Sequence, residues 1–423
     1  MNKVLILTYY WPPGSGAGVQ RWLKFAKYLP DEGWEPLILT ADPEYAAYPV
    51  TDRSLENEVP PDLKVFRTKA TDWFRLYSRD KAKIPSAGFA SNDDNSITGK
   101  ISKFIRGNFF IPDPRKGWNK YAVKEAARLI ETHGIQNLIT TSPPHSTQLA
   151  GLKIKKLSPS IRWLADLRDP WTDIYYYDSF YHTPAARYLD ARYEKMVLTR
   201  ADHIITVGKS LKNVFSSKLE GGEDKISVIP NGYDPDDFRI ASQPLPDIFT
   251  VSYIGTLSDA YPIIGFIEAV RNLAGKGYKI KLRFVGSVSP AQKVAAGSLS
   301  GNISAEFIPY VSHGDAIKYM MGSSVLLLII PDHSSSKSII TGKVFEYMAS
   351  GRPVLCLGPE DGDAAGILET TGNGKCATYN DTGSIESVLE EYLNKPVQDL
   401  KSPSAFSRQS LARDLALLLE TDK

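Results

Sequence analysis

A chain of 423 residues exceeds one ordinary hydrophobic core and points to two domains. With 42% apolar and 23% charged residues it has the balance of a soluble globular protein, and a formal net charge of +2 gives no global field for nucleic acid. Its two cysteines, Cys356 and Cys376, lie far apart in sequence and outside any Cys-x-x-Cys. No disulfide framework and no zinc site is expected from them, and a reducing cytoplasm fits.

The opening residues, Met1-Asn-Lys-Val-Leu-Ile-Leu, run into Trp11-Pro12-Pro13-Gly14 rather than into a small-residue cleavage site. They read as a strand and not as a signal peptide. Further apolar runs in the first half lie at 37–40, 65–68, 137–142, 163–167, 204–207 and 226–229. The second half has them at 251–254, 281–285, 305–309, 325–330 and 354–357, with helical patterns between most of them. Continuous apolar strands alternating with helices predict α/β domains with parallel sheets covered on both faces. The longest run, 325–330, is far shorter than the ~20 residues of a membrane span.

The alternation restarts after the Pro-rich segment 241–247, so the domain boundary is expected near 235–248. The predicted divisions are 1–240, 248–403, and a last helix, 404–423. Phe406, Leu411, Leu415 and Leu419 give that helix an apolar face that can pack back on the first domain. The stretch 72–118 breaks the βα rhythm. Within 98–120, Lys100, Lys103, Arg106, Arg115, Lys116 and Lys120 face one acid, Asp113, and are interleaved with Phe104, Ile105, Phe109, Phe110, Ile111 and Trp118. That mixture suits an anionic membrane surface, and equally a solvated helix with its apolar face packed inward.

In open parallel sheets, ligands bind beyond the carboxyl ends of the strands. The first strand leads into Trp11-Pro-Pro-Gly-Ser-Gly-Ala-Gly18, a glycine-rich turn before a helix, with Gly16 free to approach a ligand and Arg21 on the helix. It has neither dinucleotide-fingerprint nor Walker spacing, and a tight turn without a ligand fits equally. The run 137–142 ends in Pro143-Pro-His145, which puts a histidine at a helix start, where the neutral imidazole is favoured. The next run ends in Asp166-Leu-Arg168-Asp169, where a buried ion pair or a sugar-hydroxyl site are both compatible. In the second half, a Ser/Thr/Gly-rich turn with Lys337, Thr341, Gly342 and Lys343 opens a helix that ends at Gly351-Arg-Pro353. Its first N–H groups and the two lysines suit a diphosphate, and Glu346, one turn on, suits a ribose diol.

Taken in order, these motifs resemble the GT-B-fold glycosyltransferases, most closely the retaining family 4 group. The resemblance rests on Val228-Ile-Pro-Asn-Gly-Tyr-Asp234 with Phe238, Ser252-Tyr-Ile-Gly-Thr-Leu257, Phe284-Val-Gly286 and Lys343-Val-Phe-Glu-Tyr-Met-Ala-Ser-Gly-Arg-Pro-Val354. Ile111-Pro-Asp113, Ser142-Pro-Pro-His-Ser146 and Asp166-Leu-Arg-Asp-Pro-Trp171 resemble a bacterial surface-polysaccharide subgroup. The resemblance implies two facing Rossmann-like domains, with a nucleoside diphosphate sugar in the cleft, mostly on the second domain. Glu346 would hold the ribose, Thr341, Gly342 and Lys343 the diphosphate, and Gly255, Thr256, Pro309 and Tyr310 the donor's surroundings. Gly16 would approach the donor from the first domain, and His145, Arg168 and Asp169 would lie at the reaction centre. The acceptor would be a glycan or lipid-linked sugar in surface-polysaccharide synthesis at the cytoplasmic membrane face; no metal and no cofactor are expected. A nucleotide-sugar epimerase or a non-catalytic relative would share the fold. The chain departs from the family's usual pattern in three places. Ser338 replaces the first carboxylate of Glu-x7-Glu, and Thr256 and Tyr261 replace an Arg and a Lys that meet the phosphates. Lys337 and Lys343, with Arg21, are the substitutes expected.

Overall fold

The computed structural model describes residues 1–71, 73, 96–219, 221–240, 243–297, 299, 301–395 and 400–420. The chain forms two compact units: residues 1–230 together with residues from 408 onward, and residues 231–407.

The first unit is built on a seven-stranded sheet. Its strands are β1 (Asn2–Leu7), β2 (Trp34–Ala41), β3 (Lys64–Thr68), β4 (Asn137–Ser142), β5 (Arg162–Leu167), β6 (His203–Thr206) and β7 (Ile226–Val228). Their order is β3-β2-β1-β4-β5-β6-β7 and every pairing is parallel. The helices are α1 (Ala17–Tyr28), α2 (Ile97–Phe109), α3 (Asn119–His133), α4 (Ser146–Leu157), α5 (Pro184–Arg200) and α6 (Lys209–Ser216). Side chains alternate between the two faces, so β1 feeds two cores at once. Leu5 and Leu7 pack with Leu37, Leu138, Trp163 and the inner faces of α3 and α4, while Val4 and Ile6 pack with Trp22 and Phe25 of α1.

The second unit has six parallel strands: β8 (Phe249–Ile254), β9 (Ile280–Val285), β10 (Ile303–Ile308), β11 (Val325–Ile329), β12 (Val354–Leu357) and β13 (Gly374–Ala377). Their order is β10-β9-β8-β11-β12-β13. Its helices are α7 (Ile264–Gly275), α8 (Pro290–Gly297), α9 (His313–Met321), α10 (Gly342–Ala349), α11 (Asp363–Thr371) and α12 (Thr382–Asn394). The last helix, α13 (Arg408–Glu420), returns to the first unit. There Leu411, Ala412, Leu415, Ala416 and Leu419 close the core over α1. In each sheet the strand order reverses once, between β1 and β4 and between β8 and β11, and those reversals are where a crevice opens in this topology.

The fold departs from the sequence reading in three places. The division falls at Pro230–Asn231 rather than near 240, because Tyr233 packs into the second unit's core and its N–H donates to the Phe406 carbonyl at 3.0 Å. Of the Pro-rich segment, Ala241 and Ser242 lie outside the described residues, as do residues 72 and 74–95 of the irregular stretch. Within the described part of that stretch lies the helix α2, capped by Ser96, whose hydroxyl accepts from the Gly99 N–H at 3.0 Å. The unforeseen strand β13, Gly-Lys-Cys-Ala, lacks the apolar run that marks the others because it lies at the sheet edge. It also brings Cys376 directly opposite Cys356 of β12, so the two cysteines are remote only in sequence.

Candidate active site

In the second unit, the chain leaves β8 at Gly255 (φ 126°) and β9 at Gly286 (φ 120°), conformations that glycine alone adopts readily. The turns touch: a Cβ on Gly286 would stand 2.5 Å from the Gly255 carbonyl oxygen. Helix α10 is pinned over this point by Tyr347, whose hydroxyl accepts from the Ile254 N–H at 3.0 Å. Lys343, in the helix's first turn, extends its ammonium to Gly255, where a Cβ would meet Nζ at 2.6 Å. Nζ donates to the Tyr253 hydroxyl at 2.8 Å and lies 4.2 Å from that ring's centroid. The same hydroxyl donates to the Thr256 carbonyl at 2.7 Å. Burial pushes the Lys343 ammonium down to about 8, and the nearby Glu346 carboxylate opposes that shift.

Thr341 occupies the N-cap of α10 without a side-chain cap, and its buried Oγ1 has no hydrogen-bond partner. Gly342 follows with open space where a Cβ would lie. An uncapped helix start beside a buried ammonium is suited to an anion. Thr256, Pro309 and Tyr310 flank the same strand ends and are exposed, Tyr310 by 85%. Lys337 is not gathered to this point. It is a surface residue paired with Asp361 at 2.5 Å. Ser338, at the position of the missing carboxylate, donates its hydroxyl to the Ser335 carbonyl at 2.9 Å.

In the first unit, three loops meet at the sheet reversal. The loop after β1 reaches α1 through Gly16 (φ 115°). The loop after β5 sends the Arg168 guanidinium against Gly18, where a Cβ would lie 2.5 Å from Nη2. The loop after β4 presents His145, stacked on Trp171 with centroids 4.7 Å apart. Trp171 in turn donates Nε1–H to Asp190 at 2.8 Å. Asp113 fixes the start of α4, accepting from the Ser146 N–H at 2.7 Å and the Ser146 hydroxyl at 2.8 Å. The His145 Nδ1 is buried without a hydrogen-bond partner. Burial, helped by Arg168, holds the imidazole down to about 3, so it is neutral at physiological pH. Asp169 is pushed up by burial, against the pull of Arg168. A cavity of about 80 Å³ is lined by Tyr10, Arg106, His145, Trp171, Tyr176 and Asp190, among others.

Arg21 does not serve as a substitute cation. Its side chain is 1% exposed, pairs with Asp166 at 3.0 Å and donates to the Pro230 carbonyl at 2.9 Å. Asp166 also accepts from Trp22 Nε1 at 3.1 Å and the Thr141 hydroxyl at 2.8 Å. Asp166 thus holds two cations, Arg21 at 3.0 Å and Arg168 at 3.7 Å, and Arg168 extends from that buried cluster to the loop that carries Asp169. Sequence reasoning gave no role to Tyr253, Trp171 or Asp113. No spacing rule links Tyr253 to a lysine 90 residues on, and only the sheet topology brings them together.

The basic and aromatic stretch also divides. Ile111 and Trp118 are buried, Trp118 donating to the Thr68 hydroxyl at 2.8 Å. Gly107 packs on Phe180, and Arg106 covers that ring at 4.2 Å. Ile97, Ile101 and Phe104, at helical spacing along α2, and Phe109 at its end are exposed beside Lys100. Among the described residues no helix is long and apolar enough to cross a membrane, and no cluster of metal-ligating side chains occurs.

Residues 89–237 match Glycosyltransferase Family 4. The capsular polysaccharide biosynthesis glycosyltransferase CapM of Staphylococcus aureus is 23% identical over 221 residues, 49% of this chain and 55% of that protein, so the match spans about half the relative's length. Among solved structures, Anabaena HepE in complex with UDP superposes over 100% of both chains with a TM-score of 0.62 and 14% identity. The lipopolysaccharide outer core galactosyltransferase WaaB, in its apo form, does so over 99% of this chain and 99% of its own, with a TM-score of 0.60 and 11% identity. The chain has the GT-B fold and is family 4-like in sequence, and its sequence relatives are glycosyltransferases.

Proposed function

We propose that this chain is a glycosyltransferase that moves a sugar from a nucleoside diphosphate sugar, of the UDP class, to an acceptor hydroxyl. The observation that carries the reading is the uncapped start of α10 with the Lys343 ammonium set against Gly255, where the strand order of the second sheet reverses. In the family pattern that this chain resembles, cations follow β8; here Thr256 and Tyr261 stand there, and the Lys343 ammonium reaches the same turn from α10. The UDP complex of a protein with the same fold supports the donor class.

As the glycosidic bond to the diphosphate breaks, negative charge gathers on the leaving phosphate. Fixed N–H groups of the first turn of α10 and the Lys343 ammonium stabilise that charge more than the ground state. Glu346 accepts from the ribose hydroxyls. With retention of configuration, a departing phosphate oxygen takes the acceptor's proton as the new glycosidic bond forms, and no protein base is required. The neutral His145, stacked on Trp171, orients hydroxyl groups rather than abstracting a proton. The first unit takes the acceptor, a lipid-linked glycan of surface-polysaccharide synthesis. The exposed row of α2 rests on the anionic cytoplasmic face of the membrane, where burying Ile101 and Phe104 and attracting Lys100 act together.

The test is transfer from UDP-sugars to isolated lipid-linked acceptors, with UDP release and product mass followed together. Acceptor-dependent UDP release that disappears in Lys343→Met supports the reading. Turnover of a UDP-sugar to its epimer without acceptor would replace it with an epimerase, an activity ascribed to one protein of similar fold, a putative UDP-N-acetylglucosamine 2-epimerase of Listeria monocytogenes.

A further inference from the structure

The chain has two cysteines, and the fold sets them side by side. Cys356 and Cys376 are register partners on the parallel strands β12 and β13. Register partners project to one face of a sheet, and both sulfurs lie in the core beside α10 and α11. The neighbouring Cys376 thiol and burial together push Cys356 well above its ordinary value. Paired strands are about 4.8 Å apart, inside the roughly 4.4–6.8 Å between Cα atoms that a disulfide spans. The pair is asymmetric. Cys356 is 1% exposed, whereas Cys376 is half-buried on the edge strand. Its Sγ faces the Gly358 and Pro359 carbonyls at 3.7 and 3.8 Å. The same turn supports the segment leading to α10, since a Cβ on Gly362 would lie 3.4 Å from the Lys337 carbonyl.

We propose that Cys356 and Cys376 are a reversible modification site, converted by a low-molecular-weight disulfide such as oxidised glutathione into one cross-strand disulfide. The Cys376 thiolate attacks a sulfur of the small disulfide, forming a mixed disulfide and releasing one glutathione thiolate. Cys356 gives its proton to solvent and attacks the Cys376 sulfur; the protein S–S bond forms and the second glutathione thiolate leaves. The protein loses two electrons and two protons, and oxidised glutathione is reduced to two thiols. Side chains in parallel register start about one strand spacing apart, wider than the ~3.8 Å between Cβ atoms that a relaxed disulfide prefers. The bond is therefore strained, and strained disulfides are the readily reduced ones. The mobile partner in closing it is the edge strand β13, which is paired on one side only.

The experiment uses the native full chain and makes no use of nucleotide binding, so its outcome is separate from that of the proposed activity. The chain is incubated with oxidised glutathione, denatured, alkylated with iodoacetamide and weighed intact. The expected product carries no alkyl group and no glutathione, is two hydrogens lighter than the reduced chain, and recovers both thiols with dithiothreitol. Cys376→Ala, at the half-buried edge position, should leave Cys356 unmodified while folded. Wild type that stops at a glutathione adduct on Cys376, or that keeps both thiols alkylatable, overturns the proposal. So does a disulfide that joins two chains.

Discussion

Replacing Lys343 with methionine should move stability and ligand binding in opposite directions. Burial lowers the ammonium from its ordinary 10.5 to about 8, so below pH 8 the folded chain carries a cation in a place that disfavours it. A tenfold change in proton affinity is worth about 1.4 kcal/mol, which bounds the cost at about 3 kcal/mol. Methionine removes that cost but forfeits the contact with the Tyr253 ring and hydroxyl, worth about 1–2 kcal/mol. The net expectation is a gain of about 1 kcal/mol at pH 7, or about 2–4 °C for a unit of this size. The sign of the pH dependence follows. The unfolded chain holds this proton up to 10.5 and the folded chain releases it near 8, so wild-type stability relative to the variant rises between those values. Binding should go the other way. Losing one charge-assisted contact to a diphosphate costs about 1.5–3 kcal/mol, about 10- to 150-fold in Kd. Calorimetric titration with UDP and thermal unfolding of both proteins from pH 6.5 to 10 read these quantities together. A variant that is less stable and binds UDP as wild type does would refute the reasoning, since the lysine would then be a structural residue.

Four further outcomes follow from the geometry. Gly286→Ala strains a backbone at φ 120° and drives a methyl into the Gly255 carbonyl, so UDP affinity should fall at least tenfold in protein that remains folded, read by calorimetry. Arg21→Met leaves Asp166 buried without its main charge partner and should lower stability by about 3–5 kcal/mol in urea unfolding, while UDP affinity stays within twofold. His145→Ala should slow transfer without changing UDP affinity. Its imidazole is held near 3 when folded and titrates near 6.5 when unfolded, so wild type should lose stability relative to the variant as pH falls from 6.5 toward 3. Ile101→Glu with Phe104→Glu should abolish sedimentation with anionic liposomes at unchanged melting temperature; wild-type sedimentation that ignores both salt and lipid charge would count against the membrane role.

Most of the sheet structure was legible because a strand buried on both faces must be apolar throughout. Val4 to Leu7, Val325 to Ile329 and Val354 to Leu357 announce themselves that way. The edge strand β13 has no such constraint, and Gly-Lys-Cys-Ala reads as a loop. The helix α2 was legible as an amphipathic segment, but which way its apolar residues face was not. Its outward row, Ile97, Ile101 and Phe104, is apolar where a surface helix is usually polar, so its periodicity did not separate an inner face. The grouping of Lys343, Thr341 and Gly342 was legible because they sit together at one helix start, and their part in a donor site stands as proposed. Arg21 was misread because its partner Asp166 lies 145 residues away, on a strand that only the topology brings beside α1. The cysteine pair was missed on the same ground.

The most direct test of the account is binding of UDP, GDP and ADP to wild type, Lys343→Met and Gly286→Ala by calorimetry at pH 7. The account predicts that one nucleoside diphosphate, UDP, binds the wild type and that both substitutions weaken it at least tenfold while the proteins stay folded. Folded wild type that binds none of the three, or binding that survives both substitutions unchanged, would contradict a donor site at the start of α10.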